Sequence, residues 1–502
     1  MFILFTLLLK ISGLLRDMVV AYYFGDTYQA DAYLAAFIIP NMIFLFLTTG
    51  MKNAFVPSYV EAKEKGGETI LFNQLWKATG MISLVLAFIG ILFSPVVIPI
   101  IYPNFQGAAM TLAIHTTMIF MGCIMFVGLN AVFEAYLDAE SKYIFSVISQ
   151  IIVLGTMISA AILLASEIGP YALAIGYLIG TIVSLLFKII LVYRHQMFQL
   201  ATKVNWKEVR AFFVIFIPVA ITVMVGQVNL AVDNIFASYF KEGVVTYVNY
   251  AKNLVHFPQA IFAVTIGTIT FPLLAKSYAK KKMVQFNNHL EQGLMVISYV
   301  IFPAIVGMMV LMPSIIRLLF ERGAFTAEAT NGTAVVAYYY AGSVLFFSLA
   351  VIVNNGLYTL KKGHMLMMIG LGSILLNLLC NWLFTSWIGY IGIPLASSVV
   401  GLCYAICCYG ILSKQVGGIF TKPSIIEIGK MILAVLIMAG AIVLVGEIRA
   451  FFTNSLYLIF AIFVGIVIYA LCSYILKIQL FYFLLKYRKK QDHNRSMLEE
   501  ES

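Results

Sequence analysis

Lys10, Arg16 and Asp17 stand in the stretch KISGLLRDMVVAYYFG, inside an otherwise apolar run that opens MFILFTLLL. A charge at the centre of a bilayer costs about 2.5–3.5 kcal/mol on insertion scales, so three in one such segment imply partners. Arginine offers phosphate a planar bidentate fork, and lysine offers a point charge. Arg16 lies six residues after Lys10, about 9 Å along a helix and on a different face. A cavity along one face therefore receives only one of them directly. The competing reading sets Arg16 and Asp17 at the outer interface in contact with water, with Asp17 a helix-end or pairing residue.

Other polar side chains interrupt apolar runs further on. Asp31 follows the GDTYQA turn; a carboxylate there either answers a helix N-terminus or pairs with cavity cations to gate the outward side. Lys52 is close enough to a span end to snorkel, or it touches substrate. Lys252 lies deeper in its span, where snorkelling is harder. His256 follows it at i+4 on the same face, as a protonation-sensitive group or as a neutral packed ring. Glu134 and Asp138 in NAVFEAYLDAESK read as membrane-edge acids or as inner-gate partners for basic residues. Asp233 in GQVNLAVDNIFASYF, Asn377 and Asn381 in LLNLLCNWLF, and Ser397 offer carboxylate, amide and hydroxyl oxygens. Such hard ligands suit an alkali cation; equally, they form an interhelical hydrogen-bond cluster. Glu321 and Arg322 read as loop-shaping residues.

The elements that must hold these groups are membrane spans. Of 502 residues, 62% are hydrophobic and 11% charged, against about 25% charged in a soluble domain. Fourteen apolar runs of spanning length fall near 1–24, 30–57, 79–102, 109–137, 143–166, 170–193, 209–239, 244–275, 290–318, 332–360, 365–388, 391–413, 428–447 and 454–479. The even-numbered gaps and the tails hold 23 of the 32 Lys and Arg, and the opposite side holds four: Lys241, Arg317, Arg322 and Arg449. The positive-inside rule then makes both termini cytoplasmic. That distribution also accounts for the net charge of +10 without a nucleic acid partner. The first segment lacks a cleavage region, so it reads as a retained span. The basic stretches 57–78 and 276–289 read as amphipathic surface loops, and the tail 486–502 as disordered. The six cysteines lie in apolar runs without CxxC spacing, which indicates neither disulfides nor zinc.

Two stretches resemble each other: ADAYLAAFIIPNMIFLFLTTGMKNAFVPSYVEAKEK and VNYAKNLVHFPQAIFAVTIGTITFPLLAKSYAKKK. Each has a mid-span proline (Pro40, Pro258), a glycine (Gly50, Gly267), and a closing proline (Pro57, Pro272) before a basic stretch. They open the second and eighth spans, so the offset preserves orientation. The expected fold is an all-α polytopic membrane protein of 14 transmembrane helices. Two like-oriented six-helix lobes, 1–200 and 201–425, are followed by a C-terminal helix pair, 426–485. Two such bundles about a central site are a transporter architecture. No Walker A sequence is present, so ATP is not the direct driver. A polytopic glycosyltransferase would need a large external loop or paired loop acids, and neither is visible.

The segments GLLRDMVVAYYFG, DAYLAAFIIPN, AFVPSYVE, YAKNLVHFPQAIFAVTIGTITFPLLAKS and LLFERGAFT resemble the MurJ/MviN family, part of the multidrug/oligosaccharidyl-lipid/polysaccharide exporter superfamily. The resemblance runs through nearly the whole chain and argues against a drug/cation antiporter of that superfamily. It implies a flippase for lipid II, the undecaprenyl-pyrophosphate-linked peptidoglycan precursor, working by alternating access in the bacterial cytoplasmic membrane. It also implies a lipid-facing groove on the last helix pair. The expected partners are the glycolipid, the bilayer and the cell-wall synthesis machinery, for a monomeric protein. The family's first-span cations are matched by Lys10 and Arg16, and its second-span aspartate by Asp31. Phe44 and Asn253 stand where the family carries arginine, with Lys252 beside the latter, and His256 replaces an acid. That thinned cation set keeps another lipid-linked glycan, of capsule, teichuronic or exopolysaccharide type, as the alternative substrate. Asp233, Asn377, Asn381 and Ser397 resemble a sodium site of the family, with Asn381 in place of an acid and Ser397 in place of threonine.

Overall fold

The computed structural model describes residues 2–194, 197–199 and 203–482. The tail 486–502 and the side chain of Lys10 lie outside the described residues. Among those described, regular structure is helical and no strand occurs. The α-helices are α1 Phe2–Phe24, α2 Tyr28–Glu64, α3 Glu68–Ile101, α4 Gly107–Ala139, α5 Tyr143–Ile168, α6 Tyr171–Arg194, α7 Trp206–Ala237 and α8 Val244–Val255. They continue with α9 Val264–Ala279, α10 Met283–Leu319, α11 Ala327–Thr359, α12 Gly363–Ile388, α13 Gly392–Val416, α14 Lys422–Glu447 and α15 Asn454–Ile475. Eleven segments among the described residues are long and apolar enough to cross a membrane. This is a multi-pass membrane protein.

The stretches expected as surface loops are instead helix ends. The helices α2 and α3 are separated only by residues 65–67, and α9 and α10 only by 280–282. Gly66 and Lys281 turn the chain there with positive φ.

The chain forms two compact units. One comprises 1–250, 320–333 and 377–393; the other comprises 251–319, 334–376 and 394 onward. In the first, α2 runs unbroken through Pro40. Proline removes a donor and frees the carbonyl four residues back. That carbonyl, on Ala36, accepts the Thr117 hydroxyl at 3.3 Å, and its neighbour on Ala35 accepts the Tyr102 hydroxyl at 3.2 Å. Neighbouring helices thus re-satisfy the freed backbone, as helices in lipid require. Small residues let helices approach: a Cβ on Gly50 would stand 2.7 Å from that of Ala220 on α7, and one on Gly180 would stand 2.2 Å from the Thr156 hydroxyl. The 320–326 loop meets the end of α1 backbone to backbone, the Ala324 amide donating to the Tyr22 carbonyl at 2.9 Å. Gly25 and Gly323 both hold positive φ there, and a Cβ on either would lie within 2.3 Å of a carbonyl oxygen.

In the second unit the equivalent proline has a different consequence. After Pro258 the helix opens into a π turn, Gln259–Ala263, before α9 resumes; such turns absorb a broken hydrogen-bond ladder. Helices α10, α14 and α15 share an apolar core built on Leu311, Met431, Met438, Ile442 and Tyr457. Tyr469 donates to the Tyr299 carbonyl at 2.9 Å, and Glu427 receives the Gln479 amide at 2.9 Å, which pins the end of α15 to α14.

Candidate functional site

Arg16 folds onto its neighbour. Its Nη2 and Nε lie 2.8 and 3.1 Å from Asp17 Oδ1, and its guanidinium sits 5.0 Å from the Phe37 ring centroid. Asp17 is 1% exposed, whereas Arg16 keeps 22% of its side chain open. Phe44 stacks on Tyr177 with centroids 5.5 Å apart at 11° and meets Phe37 edge-on. Phe37, Phe44 and Tyr177 thus form an aromatic group beside the Arg16 guanidinium.

Asp31 is buried and receives three donors from the start of α8. The Gly243 amide lies at 2.7 Å, the Thr246 amide at 2.8 Å and the Thr246 hydroxyl at 2.6 Å. The carboxylate thus closes the N-terminus of another helix, where the macrodipole favours it. Beside it the Tyr247 hydroxyl donates to Asp26 at 2.8 Å, and the Tyr28 amide donates to Glu242.

Lys52 is held by two acids of α4, Asp138 at 2.7 Å and Glu134 at 3.7 Å. Lys252 lies 5.6 Å from the Tyr340 ring centroid. His256 Nδ1 meets Gln259 Oε1 at 2.7 Å, and its Nε2 lies 3.4 Å from the Ser343 hydroxyl. Asn253 is exposed. Lys252 and His256 thus share Tyr340 of α11 as a neighbour at the edge of the π turn.

Asp233 is fully buried. Asn377 and Asn381 point their amide nitrogens at its Oδ1, at 3.5 and 3.2 Å. The Oδ1 atoms of both asparagines are buried with no hydrogen-bond partner. Amide orientation is an assignment from the bonding network. Rotated, the same three side chains would gather carboxylate and amide oxygens, the donor set a hard cation takes. The residues therefore fit an alkali ion. Ser397 is buried in the second unit.

A model of the lipid II flippase MurJ family matches residues 20–462. The chain belongs to that family. It is 26% identical over 457 residues to a probable lipid II flippase MurJ of Vibrio cholerae, covering 87% of this chain and 86% of that one. A solved structure described as lipid II flippase MurJ in an inward closed conformation superposes with a TM-score of 0.79 at 26% identity, covering 95% of this chain and 99% of that one. An inward-facing multidrug transporter of the MATE family matches at a TM-score of 0.68 and 12% identity over 81% of this chain and 94% of that one, which shows a shared fold. MurJ proteins are transporters, not catalysts, so the polar groups above are to be judged by binding and movement.

One cluster in this MurJ chain escaped sequence reasoning. Lys188 of α6 reaches Asn130 Oδ1 at 2.9 Å and Glu134 Oε2 at 3.5 Å, and so joins the acids that hold Lys52. Its signal was the spacing of Asn130, Glu134 and Asp138, every fourth residue on α4. That polar stripe requires an internal partner.

Proposed function

We propose that the chain moves lipid II from the inner to the outer leaflet by alternating access. The observation that carries this reading is the match to lipid II flippases over nearly the whole chain in sequence and in fold. The proposal counts fourteen spans, taking 363–416 as two and adding α1 and α7 to the eleven segments found among the described residues. Spans 1–6 (1–200) and 7–12 (201–425) act as like-oriented lobes, and 426–485 as the appended pair. Both termini face the cytoplasm, where most of the lysine and arginine lies.

Arg16 takes the diphosphate, helped by Lys10; Lys52 meets it apart from Arg16, and Lys252, with Asn253 and His256 beside it, is a further headgroup contact. Asp31 closes the outer side by capping α8. Sodium binds Asp233, Asn377 and Asn381 and supplies the coupling or structural ion. The protein acts as a monomer beside the cell-wall synthesis machinery. Phe44, where the resemblance places a cavity arginine, motivates as second reading a flippase for a different undecaprenyl-linked glycan.

The test is a translocation assay in proteoliposomes with lipid II and with a capsule-type lipid-linked repeat. It is paired with rescue of cells depleted of their own lipid II flippase. Lipid II transport with rescue is expected. Transport of the repeat unit without rescue transfers the substrate to the second reading.

A further inference from the structure

The Lys52–Lys188 cluster ties four helices of the first unit together and balances its charge, two ammoniums against two carboxylates. Exposure is graded along it. Lys52 is 40% exposed, Glu134 13%, Asp138 8% and Lys188 2%. Asp138 is satisfied from both sides, by Lys52 and by the Ser146 hydroxyl of α5 at 2.9 Å. Glu134 stands between the two ammoniums, closer to Lys188 at 3.5 Å than to Lys52 at 3.7 Å. Only Lys52 can reach an outside ligand, and beside it Asn53 exposes an amide.

Lys52 comes 21 residues after Asp31 on α2, a rise of about 32 Å, against a hydrocarbon core of about 30 Å. With α2 read as a span that begins at Asp31, the open ammonium falls at the opposite headgroup level. The anions available at that level are lipid phosphates.

We infer that this cluster is a capture site for the diphosphate of the lipid substrate, an inference that rests on the flippase reading above. Lys52 is the touching residue, and Lys188 is a positioning residue that never meets the ligand. When Lys52 turns to a diphosphate, Glu134 is left to Lys188 and Asp138 to the Ser146 hydroxyl. Without Lys188, both acids would depend on Lys52 and hold it back. An unpaired carboxylate in a low-dielectric interior is strongly disfavoured, so the buried lysine sets how easily the exposed one is lent out.

The test uses the purified full chain in phosphatidylcholine nanodiscs and farnesyl diphosphate as the probe. Lys188→Met should weaken binding by at least about tenfold, because Lys52 becomes the sole counter-charge of two acids. Glu134→Gln should tighten it, because one competing acid is gone. The double variant, neutral again, should bind within about twofold of the native chain. Damage to the fold would weaken both single variants alike, so weakening by both, or a double variant that fails to recover, overturns the capture site. Lys52→Gln should abolish the effect of Lys188→Met; a surviving effect overturns the relay. Equal competition by phosphatidylglycerol or by free inorganic diphosphate overturns the diphosphate-lipid assignment. Lipid II translocation by the native chain is measured in parallel. Its absence refutes the flippase reading, whereas its presence with same-signed variants refutes the capture site alone.

Discussion

Asp31 and Thr246 meet through two hydrogen bonds on one carboxylate oxygen, from the Thr246 amide at 2.8 Å and its hydroxyl at 2.6 Å. The Gly243 amide on the other oxygen completes a cap. Two of the three donors are backbone amides at a helix start, so the aspartate replaces partners that α8 lacks. Hydrogen bonds to a charged group contribute about 1.5–3 kcal/mol. Asp31→Ala should therefore lower unfolding stability by at least about 2 kcal/mol. Thr246→Val, which keeps both amides, should cost about half of that. Thermal melts of the two variants check the order, and equal Tm values for Asp31→Ala and the native chain would refute the cap.

Sodium should raise the melting temperature. At a concentration ten times its Kd an ion bound only by the folded state adds roughly 1.4 kcal/mol. The two orphaned amide oxygens beside Asp233 motivate this expectation. Potassium at equal ionic strength is the control. Asp233→Asn should abolish the shift. Asn381→Asp should enlarge it, because a second carboxylate strengthens a hard-cation site. A sodium response that survives Asp233→Asn would move the ion elsewhere.

How much of this was legible in the sequence follows the range of each interaction. Asn377 and Asn381 could be placed together because four residues on a helix share a face. Their meeting with Asp233 rested on a resemblance, since 144 residues separate Asn377 from that aspartate. Asp31 was readable as a group at a helix start, but the helix it closes begins over 200 residues later. Lys188 stands in the apolar run 170–193 and its role is not visible there, because its partners lie on another helix. The prolines at 40 and 258 looked equivalent. The Thr117 and Tyr102 hydroxyls that answer the first come from tertiary packing, and the second is followed by a π turn, neither of which the proline pattern shows.

At the far end of α2, Glu140 joins Lys63 and the Tyr59 hydroxyl, the latter at 2.9 Å. The Lys63 hydrogen bond holds the Glu140 carboxyl below its ordinary 4.5, aided by Tyr59 and opposed by partial burial. A carboxyl depressed in the folded state contributes stability that is complete above its unfolded pKa. That stability is lost as pH falls through the folded value. Glu140→Gln should thus melt lower than the native chain at pH 7, and the gap should close below about pH 4. Lys63 is over half exposed, so the gap should be under about 1 kcal/mol. A gap constant from pH 7 to pH 3 would show that charge is not its origin.

Arg16 is where charge type and charge count separate. Its guanidinium has one face toward Phe37 and one edge on Asp17, with 22% of the side chain open. A lysine there keeps the charge but loses both the planar fork and the ring contact. Arg16→Lys should therefore lower lipid II translocation by about tenfold, the equivalent of about 1.4 kcal/mol. Arg16→Ala should lower it further, because the charge is lost along with the planar fork. Asp17→Asn in the Arg16→Ala background should recover stability without recovering transport. That pairing separates the two roles, since a purely structural arginine would regain transport along with the fold. Transport by Arg16→Ala at the native rate removes Arg16 from the headgroup site altogether.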